Sequence, residues 1–432
     1  MTGRQLIVNV LLIFLVMMTG CIGSSQRKTA AGEDYIASLY NPSKPSLDPD
    51  YFMHHENERF STLYIRAYPS QLRFSEANEE SEYRAMLLIT YRLLSLDENW
   101  QVEGVVDSSA VTYKLRDVDE KRPAFFASLA IPVPMGRHFL LQLEATDLVR
   151  GTRGLDYVYV DKRSLHSAQQ FKVVSSVSGY PKFMPFFNPH EHFSIHYSGA
   201  TTDSLFVSRF RTESALPRPP LNAPGEFKAV TRRDTLLAFA KADTLPVDYR
   251  EEGLYFIQSD TLGGEGISLY NFGSDFPRVK TPTDLLEPIF YLSTMAEYRR
   301  LLEEPNRKLA VDIFWLKLGG NIPKSRELIR VYYNRVVYSN LYFTTYTEGW
   351  KTDRGMIFIL FGPPNRIQVT EAGENWIYYS RRGADLVEFF FERKPDPHCN
   401  YRLDWVRTAR SQSARTEAIS SWRRGKVFSK GS

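Results

Sequence analysis

Short apolar runs separated by polar turns fill the chain from Phe60 to Phe272, and they restrict the fold more than any other feature. The first six runs are FSTLYIRAYP, YRAMLLITYRLLS, WQVEGVV, AFFASLAIPV, HFLLQLEATDL and LDYVYVDKR. Several alternate apolar with polar positions and are rich in β-branched and aromatic residues, which is typical of strands that bury one face. Because such strands enclose a core only as packed sheets, we predict an antiparallel β-sandwich over residues 58–165.

A second set of such runs lies between Gln170 and Phe272. It consists of QFKVVSS, HFSIHYS, SLFVSRF, TLLAFAK, GLYFIQS and GISLYNF. The Pro-rich stretch LPRPPLNAPG, Leu216–Gly225, predicts a long loop within this set. Most domains contain about 100 to 150 residues, so the two sets predict tandem sandwich-like domains, the second over residues 166–276.

Helical patterns follow Pro277. TMAEYRRLLEEP places Thr294 and Glu297 at the spacing of a capping box, and NRKLAVDIFWLKLGG ends in two glycines that can terminate a helix. A longer helix is predicted from about Ser325 to Tyr346, because its apolar residues fall on one arc at about 100° per residue. These residues are Leu328, Val331, Tyr332, Val336, Phe343 and Tyr346.

Four further strands are predicted after this helix: MIFILF, NWIYYSR, DLVEFFFER and NYRLDWV. Helices laid over a small antiparallel sheet make an α+β domain, which we place over residues 277–408. The whole chain is therefore predicted to be multidomain, with all-β tandem sandwich-like domains followed by an α+β C-terminal domain.

The segment TEGWKTDRGMIFILFGPPNRI, residues 347–367, joins the long helix to the first of these strands. We predict that it is a folding corner in which burial of the Trp350 indole contributes about 2 to 3 kcal/mol. The remaining residues have predicted local roles. Gly349 ends the helix in the left-handed conformation, and Thr352 and Asp353 bond backbone N–H groups one or two residues on. Arg354 pairs with Asp353 or the helix C-terminus, Gly355 admits the strand, and Gly362-Pro363-Pro364 ends the strand.

The same segment resembles the signature of the GWxTD domain family. Gly349-Trp350-Lys351-Thr352-Asp353 matches the naming motif, with Lys351 at the variable position. The resemblance covers about residues 280–406 and includes the runs IFWLKLGG, RELIRVYYNRVVYSNLYF, NWIYYS, FFFER and YRLDWV. Members of this family are mainly exported or lipid-anchored envelope proteins, and no catalytic residues are established for them. The resemblance therefore implies an envelope location and adds no reaction.

A catalytic use of the corner is the main alternative. Asp353 would then act with a second carboxylate on a nearby strand, as in an envelope hydrolase or carbohydrate-binding enzyme. The candidates for that carboxylate are Asp385, Glu388 and Glu392. A ligand pocket lined by Trp350, Arg354 and the two prolines is a further alternative. A phosphate loop does not fit, because the glycine-rich turn leads into a predicted strand rather than a helix.

The N-terminal sequence MTGRQLIVNVLLIFLVMMTGC indicates an export signal, since Arg4 precedes the apolar stretch Leu6–Met18. The stretch is shorter than the roughly 20 residues that a membrane-spanning helix needs. Its end, Met18-Thr19-Gly20-Cys21, resembles the lipobox of bacterial lipoproteins, with Met18 in place of the preferred Leu. The resemblance implies a signal peptide over residues 1–20 and an acylated Cys21 that anchors the chain in a membrane.

The sequence after Cys21 is rich in Ser, Pro, Lys and Ala, which predicts a tether over residues 21–57. By the best-known sorting rule an Asp next to the acylated Cys retains lipoproteins at the inner membrane. Ile22 stands there instead, so we expect the outer membrane. Export argues against nucleic acid as a partner, and we expect a non-enzymatic adaptor that binds another envelope protein.

Charge is nearly balanced, with 54 Lys and Arg against 50 Asp and Glu, but the C-terminus is basic. The residues from Arg407 onward contain seven Arg or Lys and one Glu. Such a stretch predicts a solvated tail, here over residues 409–432. The alternative is a contact between this tail and an anionic envelope polymer or phospholipid headgroups.

No metal or cofactor is predicted, although two histidine groups invite the question. His190, His192 and His196 would share one strand face, but about 13 Å separates the last two on an extended strand, too far for one ion. The other group is His54, His55 and Glu56. Cys399 lies beside His398, and we interpret it as an incidental thiol because neighbours on a strand point to opposite faces.

Overall fold

The computed structural model describes residues 47–75, 83–98, 101–199, 204–213, 230–240, 250–370, 372–379, 386–396 and 400–428. Within these ranges the chain has the predicted multidomain architecture, in which antiparallel sheets precede a mixed helical and stranded region. The predicted signal peptide, Cys21 and the tether up to residue 46 lie outside the described residues. No helix in the described ranges is both long enough and apolar enough to cross a membrane.

Two antiparallel sheets form the first domain, with strand orders β1-β2-β5 and β4-β3-β6-β7. The elements are β1 Asp50–His55, β2 Phe60–Ala67, β3 Ala85–Leu96, β4 Val102–Leu115, the one-turn helix α1 Asp117–Glu120, β5 Phe125–Pro132, β6 His138–Asp147 and β7 Arg153–Asp161. Alternate residues of both sheets, such as Ile65, Ile89 and Leu143, meet in one fully buried core. This arrangement is the sandwich that period-2 alternation favours.

The predicted tether extends too far. Residues from Leu47 belong to the first domain, because Leu47 lies in its core and strand β1 pairs with β2 from Asp50↔Arg66 to His55↔Ser61. The strand sequence DYFMHH was missed because its two histidines count as polar, whereas both side chains are buried.

The second set of strands follows: β8 Phe171–Ser175, β9 Phe193–Tyr197, β10 Ser204–Glu213, β11 Val230–Ala240, β12 Gly253–Gln258 and β13 Ile267–Asn271. The β8-β9 hairpin packs on the sheet β11-β10-β12-β13 through a core that includes Phe171, Ile195 and Ile257. The predicted loop at Leu216–Gly225 lies outside the described residues.

The last sheet of this set also has a second packed face. Leu254, Phe256 and Tyr270 lie on that face and form a cluster with Tyr346 of the C-terminal region. The sheet is therefore a layer shared between the β-rich and the helical parts of the chain.

The C-terminal region contains helices α2 Pro282–Leu286, α3 Met295–Glu303, α4 Arg307–Gly319, α5 Ile322–Phe343, α6 Asp353–Phe361 and α7 Ala409–Arg423. They pack on the sheet β14-β15-β16-β17, whose strands are Arg366–Thr370, Gly373–Tyr379, Leu386–Asp396 and Asn400–Val406. Local sequence signals predicted where some of these helices begin or end. The Thr294–Glu297 capping box is present, and Gly320 ends α4 with a φ of 72°.

The prediction that MIFILF is a strand is wrong. These residues form most of helix α6. Every residue from Gly355 to Phe361 is buried, so the helix has no polar face and its sequence shows no helical period. The predicted strand-ending role of Gly362 is correspondingly wrong, since Gly362 follows the helix at a φ of 83°.

The prediction of a solvated basic tail is also wrong. Helix α7 lies in the main core, where Ala418, Ile419 and Trp422 are all almost completely buried. The Trp422 Nε1 donates a 3.0 Å hydrogen bond to the carbonyl of Leu360. Arg423 forms a bidentate pair with Glu297, with both N–O distances 2.8 Å.

Buried histidines give the first domain a dependence on pH. Burial lowers the pKa of both His54 and His55 to about 4, from an ordinary value of 6.5. An unfolded chain keeps the ordinary value, so protons favour unfolding below pH 6.5 until the folded pKa near 4 is reached. The stabilisation is fully present above pH 6.5 and is lost as the pH falls.

We therefore expect wild-type protein to lose about 2 kcal/mol more than His55→Gln between pH 7.5 and pH 5, measured by urea unfolding. His190→Gln, at an exposed site, is the control and should behave as wild type. The comparison between variants is needed because burial raises the pKa of Asp156 to about 7, which contributes with the opposite sign. Equal pH dependence of wild type and His55→Gln would contradict the assignment.

Candidate functional site

The corner begins with a backbone contact at Gly349. Helix α5 has already ended at Phe343, and Gly349 opens a single 3-10 turn, Gly349–Lys351. A Cβ atom on Gly349 would lie 1.9 Å from the carbonyl oxygen of Ser339 in α5. The predicted left-handed helix end at Gly349 is therefore wrong, since the glycine is required for close approach and not for a positive φ.

Gly355 makes a second contact of this kind. It lies in the first turn of α6, where a Cβ atom would come within 1.9 Å of the Gly349 carbonyl oxygen. The two glycines thus let α5, the 3-10 turn and α6 stack backbone against backbone. The prediction that Gly355 admits a strand is therefore wrong, since Gly355 instead allows two helical segments to pack closely.

Thr352 links the 3-10 turn to α6. As the N-cap residue, its Oγ1 accepts a 3.0 Å bond from the Gly355 N–H and donates a 2.7 Å bond to the Gly349 carbonyl. Such a cap satisfies a backbone donor that the first helical turn leaves free. Thr352 thus makes a local bond as predicted, but as a helix N-cap to the third residue on and not as a turn one or two residues on.

Trp350 is buried in the main core, with 5% of its surface exposed. Its backbone N–H donates to the Asn340 Oδ1 at 3.1 Å, and its carbonyl accepts a 2.7 Å bond from the Tyr291 hydroxyl. The indole meets the Tyr291 ring edge-on at 6.0 Å, and Lys351 Nζ lies 5.3 Å from its centre. The ring therefore lines the core and not a ligand pocket.

Asp353 reaches across the domain. Its Oδ2 accepts a 2.9 Å bond from the backbone N–H of Trp405 in β17. The carboxyl is half-buried, and burial raises its pKa, although the Trp405 bond and nearby Arg407 act in the opposite direction. The predicted local bond of Asp353 is therefore wrong, because its partner is 52 residues away.

Arg354 pairs with Glu374, and not with Asp353 as one of the predictions held. Its Nη1 lies 3.3 Å from Glu374 Oε1, and the guanidinium lies 5.2 Å from the centre of the Phe343 ring. The other oxygen of Glu374 accepts a 3.0 Å bond from the Trp376 Nε1. Glu374 is a corner residue that sequence reasoning missed, since a single acidic residue in a strand carries no signal of its partner.

The proposed catalytic carboxylate pair is not assembled. Glu388 and Glu392 are exposed, whereas the alternate residues Val387, Phe389 and Phe391 are in the core beneath the helices. The pleat of β16 thus places both glutamates on the sheet face opposite α6 and Asp353. The third candidate, Asp385, lies outside the described residues.

The histidine groups are dispersed. His190, His192 and His196 are exposed, and the only described bond between their rings and a neighbour joins His196 Nε2 to Ser194 Oγ at 3.1 Å. Across the ranges that the structure describes, no three His, Cys, Asp or Glu side chains are placed to hold a metal ion. Cys399 and His398 lie outside those ranges.

One polar cluster was not found from sequence. Ser61 Oγ accepts a 3.1 Å bond from Lys162 Nζ and donates to His55 Nδ1 at 2.9 Å, while His55 Nε2 donates to the Asp161 carbonyl at 3.0 Å. Burial lowers the pKa of Lys162 to about 8. Lysine, serine and histidine in contact can form a nucleophile, but all three are fully buried, so the cluster has no access to substrate.

The glycine contacts make a direct prediction. Gly349→Ala and Gly355→Ala should each lower the free energy of unfolding by at least about 2 kcal/mol, because the methyl group must displace backbone. Gly104→Ala is the matched control, since its added Cβ would meet nothing within 4 Å. Urea denaturation measures all three, and a tolerated alanine at either corner position would contradict the packing argument.

Asp353 can be tested by comparing two variants. Asp353→Asn keeps an oxygen for the Trp405 N–H and removes a charge that burial disfavours, so it should cost less than about 1 kcal/mol. Asp353→Ala leaves a buried donor unpaired and should cost about 1 to 3 kcal/mol. Equal losses of unfolding free energy would show that the bond to Trp405 is not what this side chain contributes.

Comparison with known proteins agrees with this part of the fold. The family model described as "GWxTD domain" matches residues 253–424, which include the shared sheet strands β12 and β13 as well as α7. No curated protein matches the chain. Among solved structures, red sea bream transglutaminase matches with 7% identity over 52% of this chain and 31% of its own, at a TM-score of 0.19, too low to indicate a common overall fold. The chain therefore contains a GWxTD domain, and the residues that match its model extend beyond 277–408 at both ends.

Proposed function

We propose that this protein is a lipid-anchored, non-enzymatic adaptor of the cell envelope, in which the GWxTD domain is a rigid structural part. The observation that carries the proposal is the use of the signature residues. Trp350, Asp353 and Arg354 each bind a partner inside the domain, at Tyr291, Trp405 and Glu374 respectively. A catalytic signature would instead present its polar groups to a cleft.

The shared sheet supports the adaptor role, because β10, which precedes the matched residues, pairs with β12 inside them from Phe206↔Gln258 to Phe210↔Leu254. The cluster of Leu254, Phe256 and Tyr270 with Tyr346 joins the shared sheet to the segment just before the corner. A partner bound on the β-rich part would therefore be held at a defined position relative to the GWxTD domain. Fixed geometry of this kind suits an adaptor within an assembly.

The anchor rests on Met18-Thr19-Gly20-Cys21 and its resemblance to a lipobox. Acylation of Cys21 with more than one chain would hold the protein stably at a membrane, where a single chain gives marginal binding. Ile22 in place of Asp favours the outer membrane by the sorting rule. Acylation of Cys21 has to be measured directly, because Cys21 lies outside the described residues.

That test is metabolic labelling with palmitate in a bacterial host. Wild-type protein should incorporate the label and partition into the detergent phase of a Triton X-114 separation, and Cys21→Ser should lose both properties because it lacks the acylated thiol. Cys399→Ser, which removes the only other thiol of the chain, is the control and should keep both. An unlabelled wild-type protein would refute the anchor.

The adaptor role needs a separate experiment. Crosslinking in intact cells, followed by mild detergent extraction and affinity purification, should recover the same envelope protein in repeated preparations. A solitary monomer under these conditions would contradict the adaptor role even if Cys21 is acylated.

A further inference from the structure

Helix α4 turns an apolar stripe away from the core. Its buried side consists of Ala310, Val311, Phe314 and Trp315. On the opposite side, Leu309, Ile313 and Leu316 recur at the i, i+4, i+7 spacing of one helical stripe, and they are 46%, 53% and 44% exposed. A helix of a globular domain ordinarily has polar residues on this side.

Two more exposed aliphatic residues lie on the helices that precede and follow α4 in the chain. Leu302, at the end of α3, is 40% exposed, and Ile322, the first residue of α5, is 58% exposed. We call these five residues, Leu302, Leu309, Ile313, Leu316 and Ile322, the α4 patch. In the described residues α4 packs on α2, α3 and α5, and the five side chains of the patch nevertheless remain at least 40% exposed.

Basic residues lie beside the α4 patch on α4 and α5. Lys317 borders the stripe, and Arg326 and Arg330 follow Ile322 at intervals of four residues, on the same face of α5. All three are exposed and make no ion pair with any residue in the described ranges. Two nearby acids are paired within their own helices, Asp312 with Lys308 at 2.5 Å and Glu327 with Lys324 at 2.8 Å. Two further acids, Glu303 and Glu304, follow Leu302 in the chain, so the cations are in excess at the α4 and α5 side of the patch and not at its α3 end.

The C-terminus adds to this charge. Gly425 has a φ of 71°, and a Cβ atom there would lie 2.5 Å from the Leu318 carbonyl oxygen at the end of α4. This contact holds the exposed Arg424 and Lys426 near the last turn of α4.

We propose that the α4 patch contacts the surface of a membrane that contains anionic phospholipid. Aliphatic side chains bordered by Lys and Arg are typical of helices that lie in the plane of the lipid headgroups, and unpaired cations near such a surface are attracted to its negative potential. This inference goes beyond the proposed anchor, since it requires no acyl chain.

A second copy of the chain fits the α4 patch less well. Five half-exposed aliphatic residues cover less than the roughly 800 Å² per partner that a stable interface buries. The patch also lacks the Trp and Tyr residues that anchor protein interfaces. In addition, its uncompensated positive charge would repel the same charge on a second copy across a two-fold axis.

Binding to vesicles tests the proposal. The protein is the chain from residue 22, which lacks Cys21 but retains the whole compact unit Asp34–Ser432. It should co-float with vesicles of phosphatidylcholine and phosphatidylglycerol, less with phosphatidylcholine alone, and less at high salt. The triple variant Leu309→Gln, Ile313→Gln, Leu316→Gln should lower the partition coefficient at least about tenfold.

Leu262→Gln is the matched control, because Leu262 is 96% exposed in the turn between β12 and β13. It should bind as wild type. Failure of the wild-type chain to float, or equal flotation of the triple variant, would overturn the proposal. A wild-type dimer in sedimentation velocity that the triple variant abolishes would assign the α4 patch to a second copy instead.

A single substitution guards against misfolding of the triple variant. In a Cys399→Ser background, an environment-sensitive fluorophore on Ile313→Cys should shift to shorter wavelength with anionic vesicles, and the same fluorophore on Leu262→Cys should not. Identical spectra at the two positions would contradict the contact. Because Cys21 is absent throughout, the result is independent of the palmitate experiment.

Discussion

Three backbone segments meet without a side chain between them, and the C-terminal domain depends on that contact. Gly349 touches helix α5 at Ser339, and Gly355 touches Gly349 in turn. Any Cβ at either glycine would separate the segments, because both would overlap backbone oxygens at 1.9 Å. The order of the contacts explains why the two glycines stand six residues apart, one in the 3-10 turn and one in the first turn of α6.

The close approach also decides where the residues between them point. Trp350 enters the core beside Tyr291, whereas Asp353 meets the Trp405 backbone of β17. The corner thus fastens the helices to each other and to the sheet, which accounts for the signature in terms of packing.

Charged side chains within this domain also bond to residues that are distant in the sequence. Arg335 of α5 donates to the carbonyls of Ile359 and Leu360 at the end of α6, at 3.0 and 3.2 Å. A cation is favoured at a helix C-terminus, and burial lowers the pKa of this guanidinium only to about 10, so it remains charged at neutral pH. At the other side, the Arg423–Glu297 pair joins α7 to the capping box of α3. Here the bond to Arg423 lowers the pKa of Glu297 to about 2. Part of the basic C-terminus, Arg423, therefore neutralises an acidic residue inside the domain. The distribution of charge along the sequence could not reveal this pairing.

Much of the fold could be predicted from local patterns, and the reasons are specific. Strands such as β3 and β6 alternate buried with half-buried residues, so period 2 is visible in the sequence. The capping box of Thr294 and Glu297 predicts the start of helix α3, and the left-handed Gly320 marks the end of α4. Helix α6 gave no such period because all of its last seven residues are buried. Its start was nevertheless encoded: Thr352 is an N-cap type followed by an acidic residue in the first turn, a pairing that favours a helix over a strand. That local signal outweighs a run of six apolar residues, which periodicity cannot assign.

The candidate site was harder to predict because its partners are remote in sequence. Burial of Trp350 follows from its size and apolarity, but the bond from Trp405 to Asp353 spans 52 residues, and the Arg354–Glu374 pair depends on how β15 lies against α6. In both cases the side chain could have found a neighbour in the motif itself, and tertiary packing decided otherwise. This engagement bears on where the domain could bind a partner. Because Trp350, Asp353 and Arg354 are engaged inside the domain, the proposed binding of a partner would use surface that the signature does not form. Exposed aliphatic residues bordered by uncompensated cations occur on α4, on the side of that helix turned away from the core. The motif thus specifies how the domain is built, and in our proposal residues outside the motif make its external contacts.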